Sequence, residues 1–103
     1  MSDNISKIEL VVPKNAKILI LILKNNIRSS SAARVIIKNV ATDTCKKPEQ
    51  ILFDKEYNIS GDEILPVQYP IQQQEDSDVT TTCLEVTVIS ENSDIEMRYA
   101  YGY

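Results

Sequence analysis

Apolar and polar residues alternate along much of the chain with a spacing of two. Near the start, Ile8, Leu10 and Val12 alternate with Lys7 and Glu9. Successive side chains of a β-strand point to opposite sides, so this period is typical of strands with one buried face. Isoleucine, valine and threonine, which favour strands, are abundant, whereas the spacing of three to four that marks an amphipathic helix is nearly absent.

This pattern predicts about seven strands, at residues 5–12, 16–24, 34–41, 50–59, 63–70, 79–90 and 94–102. No segment repeats at a fixed period, and no stretch is biased enough in composition to be a linker. The length of 103 residues suits one hydrophobic core. We therefore predict a single domain that covers residues 1–103.

The connections between the predicted strands are of two lengths. The short turn-forming clusters, each suited to a hairpin, are at residues 13–15, 60–62 and 91–93. The longer polar connections, each long enough to cross from one sheet to another, are at residues 25–33, 42–49 and 72–78. Such a mixture predicts an all-β fold, in which the antiparallel strands form a Greek-key β-sandwich of the jelly-roll or immunoglobulin-like type.

The predicted strand at residues 16–24 is apolar on both faces, because residues 18–23 alternate isoleucine with leucine. A two-layer sandwich covers one face of each sheet, so the other face of this strand needs a second cover. One alternative is a cover from within the chain, by the connection at residues 25–33 or by long side chains of neighbouring strands. The alternative that we favour is an oligomer interface, and its candidate residues are Ile18, Ile20, Leu21 and Ile22.

The last predicted strand carries tyrosines on one face. With a period of two, Tyr99, Tyr101 and Tyr103 share that face with Ile95 and Met97. The simplest interpretation is the inner face of the last strand, with the hydroxyl groups at the rim of the sandwich. The alternative is an exposed ligand-binding surface, on which the three tyrosine rings bind a sugar, a peptide or a protein. Tryptophan, which sugar-binding surfaces usually recruit, is absent from the chain.

The two cysteines, Cys45 and Cys83, are candidates for one disulfide bond. Cys45 belongs to a polar connection, and Cys83 points outward if Leu84 and Val86 point into the core. An outward cysteine is able to pair with Cys45 within the chain or between chains, and two free thiols are the alternative in an intracellular protein. Two cysteines alone do not close a four-ligand zinc site.

Composition argues against most catalytic chemistry. The chain has no histidine, which excludes Ser-His-Asp and Cys-His nucleophile arrangements and histidine-ligated zinc. The two glycines, Gly61 and Gly102, lie too far apart to form a glycine-rich phosphate loop. Acidic clusters at residues 75–78 and 91–94 hold oxygen ligands, but they lack the spacing of a known calcium loop. We therefore predict that the protein is not an enzyme and has no catalytic residues, cofactor or metal site.

Charge and hydropathy argue against two kinds of partner. Eleven basic residues against fifteen acidic ones give a net charge of −4, and the one adjacent basic pair is Lys46 and Lys47, so we expect no nucleic-acid binding. The longest apolar run, residues 18–23, is much shorter than the roughly 20 residues that span a bilayer, so we expect no membrane insertion. The first residues lack the basic start and apolar stretch of a secretory signal, and the compartment stays unassigned.

The functional prediction is a non-catalytic structural or interaction domain. Its partner is a second copy of itself, in an oligomer or a larger assembly formed through the strand that is apolar on both faces. The alternative is a small lectin-like module, which binds a glycan or a protein ligand through the tyrosine face near the end of the chain.

Overall fold

The chain forms seven antiparallel β-strands in a computed structural model that describes residues 4–43, 45, 48–71, 82–91 and 95–103. In chain order the strands are β1 (Asn4–Val11), β2 (Ile18–Asn25), β3 (Ser31–Asn39), β4 (Gln50–Ile59), β5 (Ile64–Pro70), β6 (Cys83–Ser90) and β7 (Ile95–Gly102). The all-β prediction is confirmed. None of the described residues is helical, and this part of the chain therefore offers no helix with the length and hydropathy needed to cross a membrane.

The strands form two sheets that pack together, as a β-sandwich requires. The four-stranded sheet has the order β1-β6-β3-β4, and the three-stranded sheet has the order β5-β2-β7. All the paired strands run antiparallel. The interior strands are therefore β6 and β3 in the larger sheet and β2 in the smaller one.

The core lies between the sheets and is built from alternate residues of the interior strands. Leu19, Leu21 and Leu23 of β2 have no exposed surface. They share one cluster with residues of the four-stranded sheet, chiefly Leu10, Ala33, Val35, Ile37, Ile59, Leu84, Val86 and Val88. Burial of each large aliphatic side chain is worth about 1.5–3 kcal/mol before entropy is subtracted. The side chains at every second position of each strand thus form one continuous apolar layer between the sheets.

The prediction that the short connections form hairpins is wrong. The connections after β1, β4 and β6 each lead from the four-stranded sheet into the three-stranded sheet. Turn-forming residues reverse the chain, but they do not determine whether the next strand pairs within the sheet or enters the other layer. Packed sheets lie only about 10 Å apart, a distance that a few residues span.

The prediction that the longer connection at residues 42–49 crosses between sheets is also wrong. This connection joins β3 to β4, which are antiparallel neighbours in one sheet. The length of this connection allows Cys45 to reach Cys83 at the start of β6. The connection between β2 and β3 does cross between the sheets, as predicted. Residues 72–78, the third predicted crossing, lie outside the described residues.

Two sheet-to-sheet links meet around Asn25, at one end of the sandwich. The Asn25 side chain has no exposed surface. It makes four hydrogen bonds with main-chain groups of the links: Nδ2 donates to the oxygens of Ser29 (2.9 Å), Ile59 (3.1 Å) and Ser60 (3.3 Å), and Oδ1 accepts from the N–H of Ile27 (3.2 Å). One buried amide therefore holds the link after β2 against the link after β4.

The backbone of the same junction is closely packed. A Cβ atom at Gly61 would overlap the main-chain oxygen of Arg28, so only glycine fits there. The next residue, Asp62, has a φ of 59°, and its N–H donates to the oxygen of Ile27 at 2.9 Å. Aspartate tolerates this left-handed conformation better than most residues. The turn-forming cluster at residues 60–62 is therefore used to dock one link on the other.

Candidate functional site

The central strand β2 is apolar on both faces, and the structure separates the two sets of side chains. Leu19, Leu21 and Leu23 lie in the core with no exposed surface. Ile18, Ile20 and Ile22 point to the opposite side and are half-buried. Leu21, which we predicted as an interface residue, is therefore excluded from any interface on the outer side, because it shares its face with the other two buried leucines.

The neighbouring strands extend the isoleucine row into a broader apolar surface. Ile18 lies between Pro70 of β5 and Gly102 of β7, and Ile20 lies between Gln68 and Ala100. Most of these neighbours are short or compact, so they cover the isoleucines only in part. We call this outer surface of the three-stranded sheet the isoleucine face; its members are Ile18, Ile20, Ile22, Ile64, Pro66, Gln68, Pro70, Ala100 and Gly102.

Charged residues occupy one end of the isoleucine face. Lys24 of β2 lies opposite Glu96 of β7, and Arg98 of β7 lies opposite Ile22. All three charged residues are exposed. At the same end, the Ile64 side chain of β5 is 57% exposed. The surface thus has an apolar centre and a polar margin on one side, which is the usual composition of a protein interface.

Sequence reasoning identified only the β2 part of this surface. The contributions of β5 and β7 were missed, chiefly Ile64, Pro66, Pro70 and Ala100. Period two groups these residues correctly within their own strands, since Ile64, Pro66 and Pro70 share one side of β5. It does not show that β5 and β7 flank β2, because strand pairing depends on residues far apart in the chain.

The tyrosines of β7 lie on the side that faces the other sheet. Tyr101 pairs with Leu19 and Tyr99 pairs with Leu21, so both share the face of the core leucines. Tyr101 is half-buried, and burial raises the pKa of its phenol, with smaller contributions from the neighbouring tyrosines. Tyr99 and Tyr103 are 48% and 72% exposed. The three tyrosines therefore run from the core to the rim and do not form a separate outer surface.

The rings of Tyr99 and Tyr101 contact each other edge to face. Their centroids are 5.8 Å apart, and their planes are inclined by 71°. This arrangement is a favourable one for an aromatic pair. It does not present two parallel rings on which a flat ligand is able to stack.

Cys45 and Cys83 form a disulfide bond within the chain. Their Cα atoms are 5.8 Å apart, and 38 positions separate them in the sequence. Both are buried, in a small cluster with Val40 on the outer side of the four-stranded sheet. Cys83 occupies the side of β6 opposite to that of Leu84, and the connection after β3 covers it. The bond therefore ties that connection to an interior strand.

The outer face of the four-stranded sheet differs from the isoleucine face because it carries ion pairs. Arg34 binds Asp54 through two parallel hydrogen bonds, from Nε at 2.8 Å and from Nη2 at 2.6 Å. This contact lowers the pKa of Asp54 and raises that of Arg34. Lys38 lies 3.6 Å from Glu85 on the adjacent strand. The surface also carries the exposed apolar side chains of Ile5, Val11 and Ile51, so polar and apolar groups are mixed on it.

A shallow depression of about 260 Å³ lies beside this ion pair. It is lined by Ala32, Ala33, Arg34, Glu56, Ile89, Ser90 and Glu91. Arg34 is already held by Asp54. Among the described residues, no three acidic or cysteine side chains come together to hold a metal ion. The acidic cluster at residues 75–78 lies outside the described part of the chain.

No protein-family model, curated protein sequence or solved structure matches this chain at a significant level.

Proposed function

We propose that the protein is a non-catalytic interaction domain that self-associates through the isoleucine face. One observation carries this proposal: the outer row of Ile18, Ile20 and Ile22 stays half-buried, while the leucines on the other side of β2 are fully buried in the core. Contiguous exposed apolar surface of this kind marks an interaction site in soluble proteins.

A second copy of the chain is the occupant that fits this surface best. The face belongs to a three-stranded sheet, so two copies are able to pack face to face about a two-fold axis. The charged residues Lys24, Glu96 and Arg98 lie at one end only. When the strands of the two copies run in opposite directions, the two charged ends separate and remain in water while the isoleucine rows meet.

The size of the face sets the strength of the association. Three strands by seven residues cover about 14 Å by 23 Å, or on the order of 320 Å² per copy. Standard stable interfaces bury about 800 Å² per partner. A single pair of faces is smaller than that, so we expect a weak dimer unless assembly adds further contacts.

The test is a charge placed at the centre of the face. In Ile20→Lys, the ammonium group would have to leave water when two copies meet, so we expect a folded monomer at every concentration. The matched control is Ile36→Lys, because Ile36 is also a half-buried isoleucine on an interior strand, but on the outer face of the four-stranded sheet. We expect this control to associate like the wild type.

Sedimentation equilibrium between about 5 μM and 1 mM, a range suited to a weak dimer, measures both variants against the wild type. A wild-type protein that is monomeric over the whole range contradicts the proposal. So does equal dissociation of the two variants, because it would place the contact outside the isoleucine face. Circular dichroism verifies that each variant retains its strands.

A ligand-binding module that uses Tyr99, Tyr101 and Tyr103 is the second candidate. The exposure of Tyr99 and Tyr103 favours it, because amphipathic rings at a rim suit a glycan or a peptide. The inclined pair of Tyr99 and Tyr101 disfavours stacking of a flat ligand, and Tyr101 also packs on the core. We therefore place self-association first.

A further inference from the structure

The two sheets differ by one strand, and the difference leaves one strand of the larger sheet without a counterpart. A link of four residues joins β4 to β5, and these strands approach each other at one side of the sandwich. From that side the larger sheet continues through β3 and β6 to β1, whereas the smaller sheet continues through β2 and ends at β7. Counted from that side, the described strands leave the position beside β7, opposite β1, without a strand.

The exposure of β1 agrees with this placement. Leu10, Ile8, Ser6 and Asn4 share the core side of β1, because they alternate from the buried Leu10. Ile8 is only half-buried, and Ser6 and Asn4 are exposed. Their partners on β6, Val88 and Ser90, are both buried. No described strand of the smaller sheet therefore covers the first half of the core side of β1.

The free edge of β7 has main-chain groups that are able to pair. The oxygen of Gly102 accepts a hydrogen bond from the N–H of Lys17, on the β2 side. Main-chain groups of an antiparallel strand alternate in direction, so Glu96, Arg98 and Ala100 also face β2. The N–H and C=O groups of Met97, Tyr99 and Tyr101 then face away from β2, and among the described strands β7 pairs with β2 alone.

The other edge of the same sheet is blocked by sequence. Asn25 of β2 donates its N–H to the oxygen of Glu63, so the odd-numbered residues of β5 face β2. Ile64, Pro66, Gln68 and Pro70 therefore face the free edge of β5. Two of these four residues have no N–H to donate, which is a common protection against strand addition. The edge of β7 carries no proline.

We propose that the β7 edge is an acceptor for an extended polypeptide strand, which adds to the smaller sheet as a fourth strand and covers β1. The chemistry of the strand follows from the exposed charges of β7 on the outer side, Glu96 and Arg98. An antiparallel strand that fits has a basic residue opposite Glu96 and an acidic residue opposite Arg98. Its alternate residues are apolar, because they cover Tyr99 and Ile8. This edge borders the isoleucine face at its charged end, to which Glu96 and Arg98 belong.

The sequence of β7 itself satisfies these requirements. When a second β7 strand runs antiparallel with Met97 opposite Met97, Glu96 lies opposite Arg98 on both sides of the centre, and Ile95 lies opposite Tyr99. In this register the main-chain N–H and C=O groups of the two Met97 residues face each other. The Met97–Met97 pair and the Ile95–Tyr99 pair on each side of it are therefore hydrogen-bonded pairs. The Glu96–Arg98 pairs are then the closer, non-hydrogen-bonded type, which suits cross-strand ion pairs.

The experiment uses a peptide with the sequence of β7, residues 95–102, acetylated and amidated. It is titrated into the ¹⁵N-labelled full chain carrying Ile20→Lys, so that self-association through the isoleucine face does not interfere. We expect amide shifts on β7 and on the first half of β1. We also expect slower hydrogen exchange at Ile95, Met97 and Tyr99, whose main-chain groups pair with the peptide in this register. The Gln68 amide, on the blocked edge of β5, is the internal control and stays unchanged.

A charge exchange tests the register. A peptide carrying Glu96→Arg and Arg98→Glu places like charges together at both ion pairs, so we expect about tenfold weaker binding to the Ile20→Lys chain. The protein variant Glu96→Arg/Arg98→Glu, made in the same background, restores binding of the exchanged peptide.

Three results overturn the proposal: no shifts at millimolar peptide, shifts confined to β5 or to the isoleucine face, or binding that ignores the charge exchange. Because the chain used carries Ile20→Lys, each of these results leaves the self-association proposal to its own test.

Discussion

At the scale of single residues, the buried Asn25 side chain holds two parts of the fold together. It has no exposed surface and bonds main-chain groups of two links that belong to different parts of the sequence. Buried main-chain groups need partners, and no local turn supplies all of them here. The sequence shows an asparagine after an apolar strand, which by itself predicts only a turn.

We expect Asn25→Ala to destabilise the fold by about 2–4 kcal/mol. The change leaves the buried oxygen of Ile59 and the N–H of Ile27 without their partner, and each unsatisfied buried group costs about 1–3 kcal/mol. Urea unfolding followed by circular dichroism measures the change. The control is Asn58→Ala, an exposed asparagine on β4, which should alter stability by less than about 0.5 kcal/mol. Equal effects of the two variants would contradict the role given to Asn25.

The Arg34–Asp54 pair gives a prediction on pH. The contact lowers the pKa of Asp54 below the ordinary aspartate value of 3.8. A carboxylate with a lowered folded-state pKa contributes stability above its unfolded pKa and loses that contribution as the pH falls through the folded pKa. The pair is exposed, so its effect on stability is small.

The titration itself is the sensitive measurement for this pair. Carbon-detected NMR should give Asp54 a midpoint below 3.8 in the wild type and a higher one in Arg34→Met. The difference should shrink in 1 M salt, because salt screens exposed charges. An unchanged midpoint in the variant would show that the two side chains do not pair in solution.

At the scale of elements, the sequence predicted strands better than it predicted their connections. The period of two located all seven strands, and β4 has the predicted bounds. The short clusters at residues 13–15 and 60–62 were correctly placed between strands but join different sheets. The alternation of apolar and polar residues is a local property of a strand, because it reflects which side of that segment is buried. The route of a connection depends on which distant strand offers the better pairing.

The two edges of the three-stranded sheet differ in a way that only the strand pairing shows. Pro66 and Pro70 are visible in the sequence as residues that disfavour an interior strand. The pairing adds that both prolines face the free side of β5, whereas Met97 and Tyr99 direct ordinary main-chain groups to the free side of β7. One sheet therefore has one protected edge and one edge able to accept a strand.

At the scale of the whole molecule, the disulfide limits how far the unfolded chain can expand. Cys45 and Cys83 are 38 positions apart, so the bond closes a loop that includes β4 and β5. In the chain-entropy account, closing a loop of this length stabilises the fold by about 4 kcal/mol. The bond also holds the longest described connection against the sheet.

We expect the Cys45→Ala/Cys83→Ala variant to unfold at lower urea, with a loss of about 2–4 kcal/mol. The wild type in a strong reductant should lose a similar amount, whereas reductant should not affect the variant. A wild-type urea midpoint that is insensitive to reductant, in a protein whose intact mass shows the bond to be broken, would contradict this expectation.

The sequence by itself determined the class of fold, the approximate position of each strand, and the presence of one strand that is apolar on both faces. These properties follow from side-chain periodicity within single segments, which requires no knowledge of distant residues. The tertiary structure decided which set of β2 side chains points outward. It excluded Leu21 from the outer face and placed Pro66, Pro70 and Ala100 around the isoleucines. The reason is physical: a strand can turn either apolar face inward, and the choice depends on which neighbours pair with it and which sheet covers it.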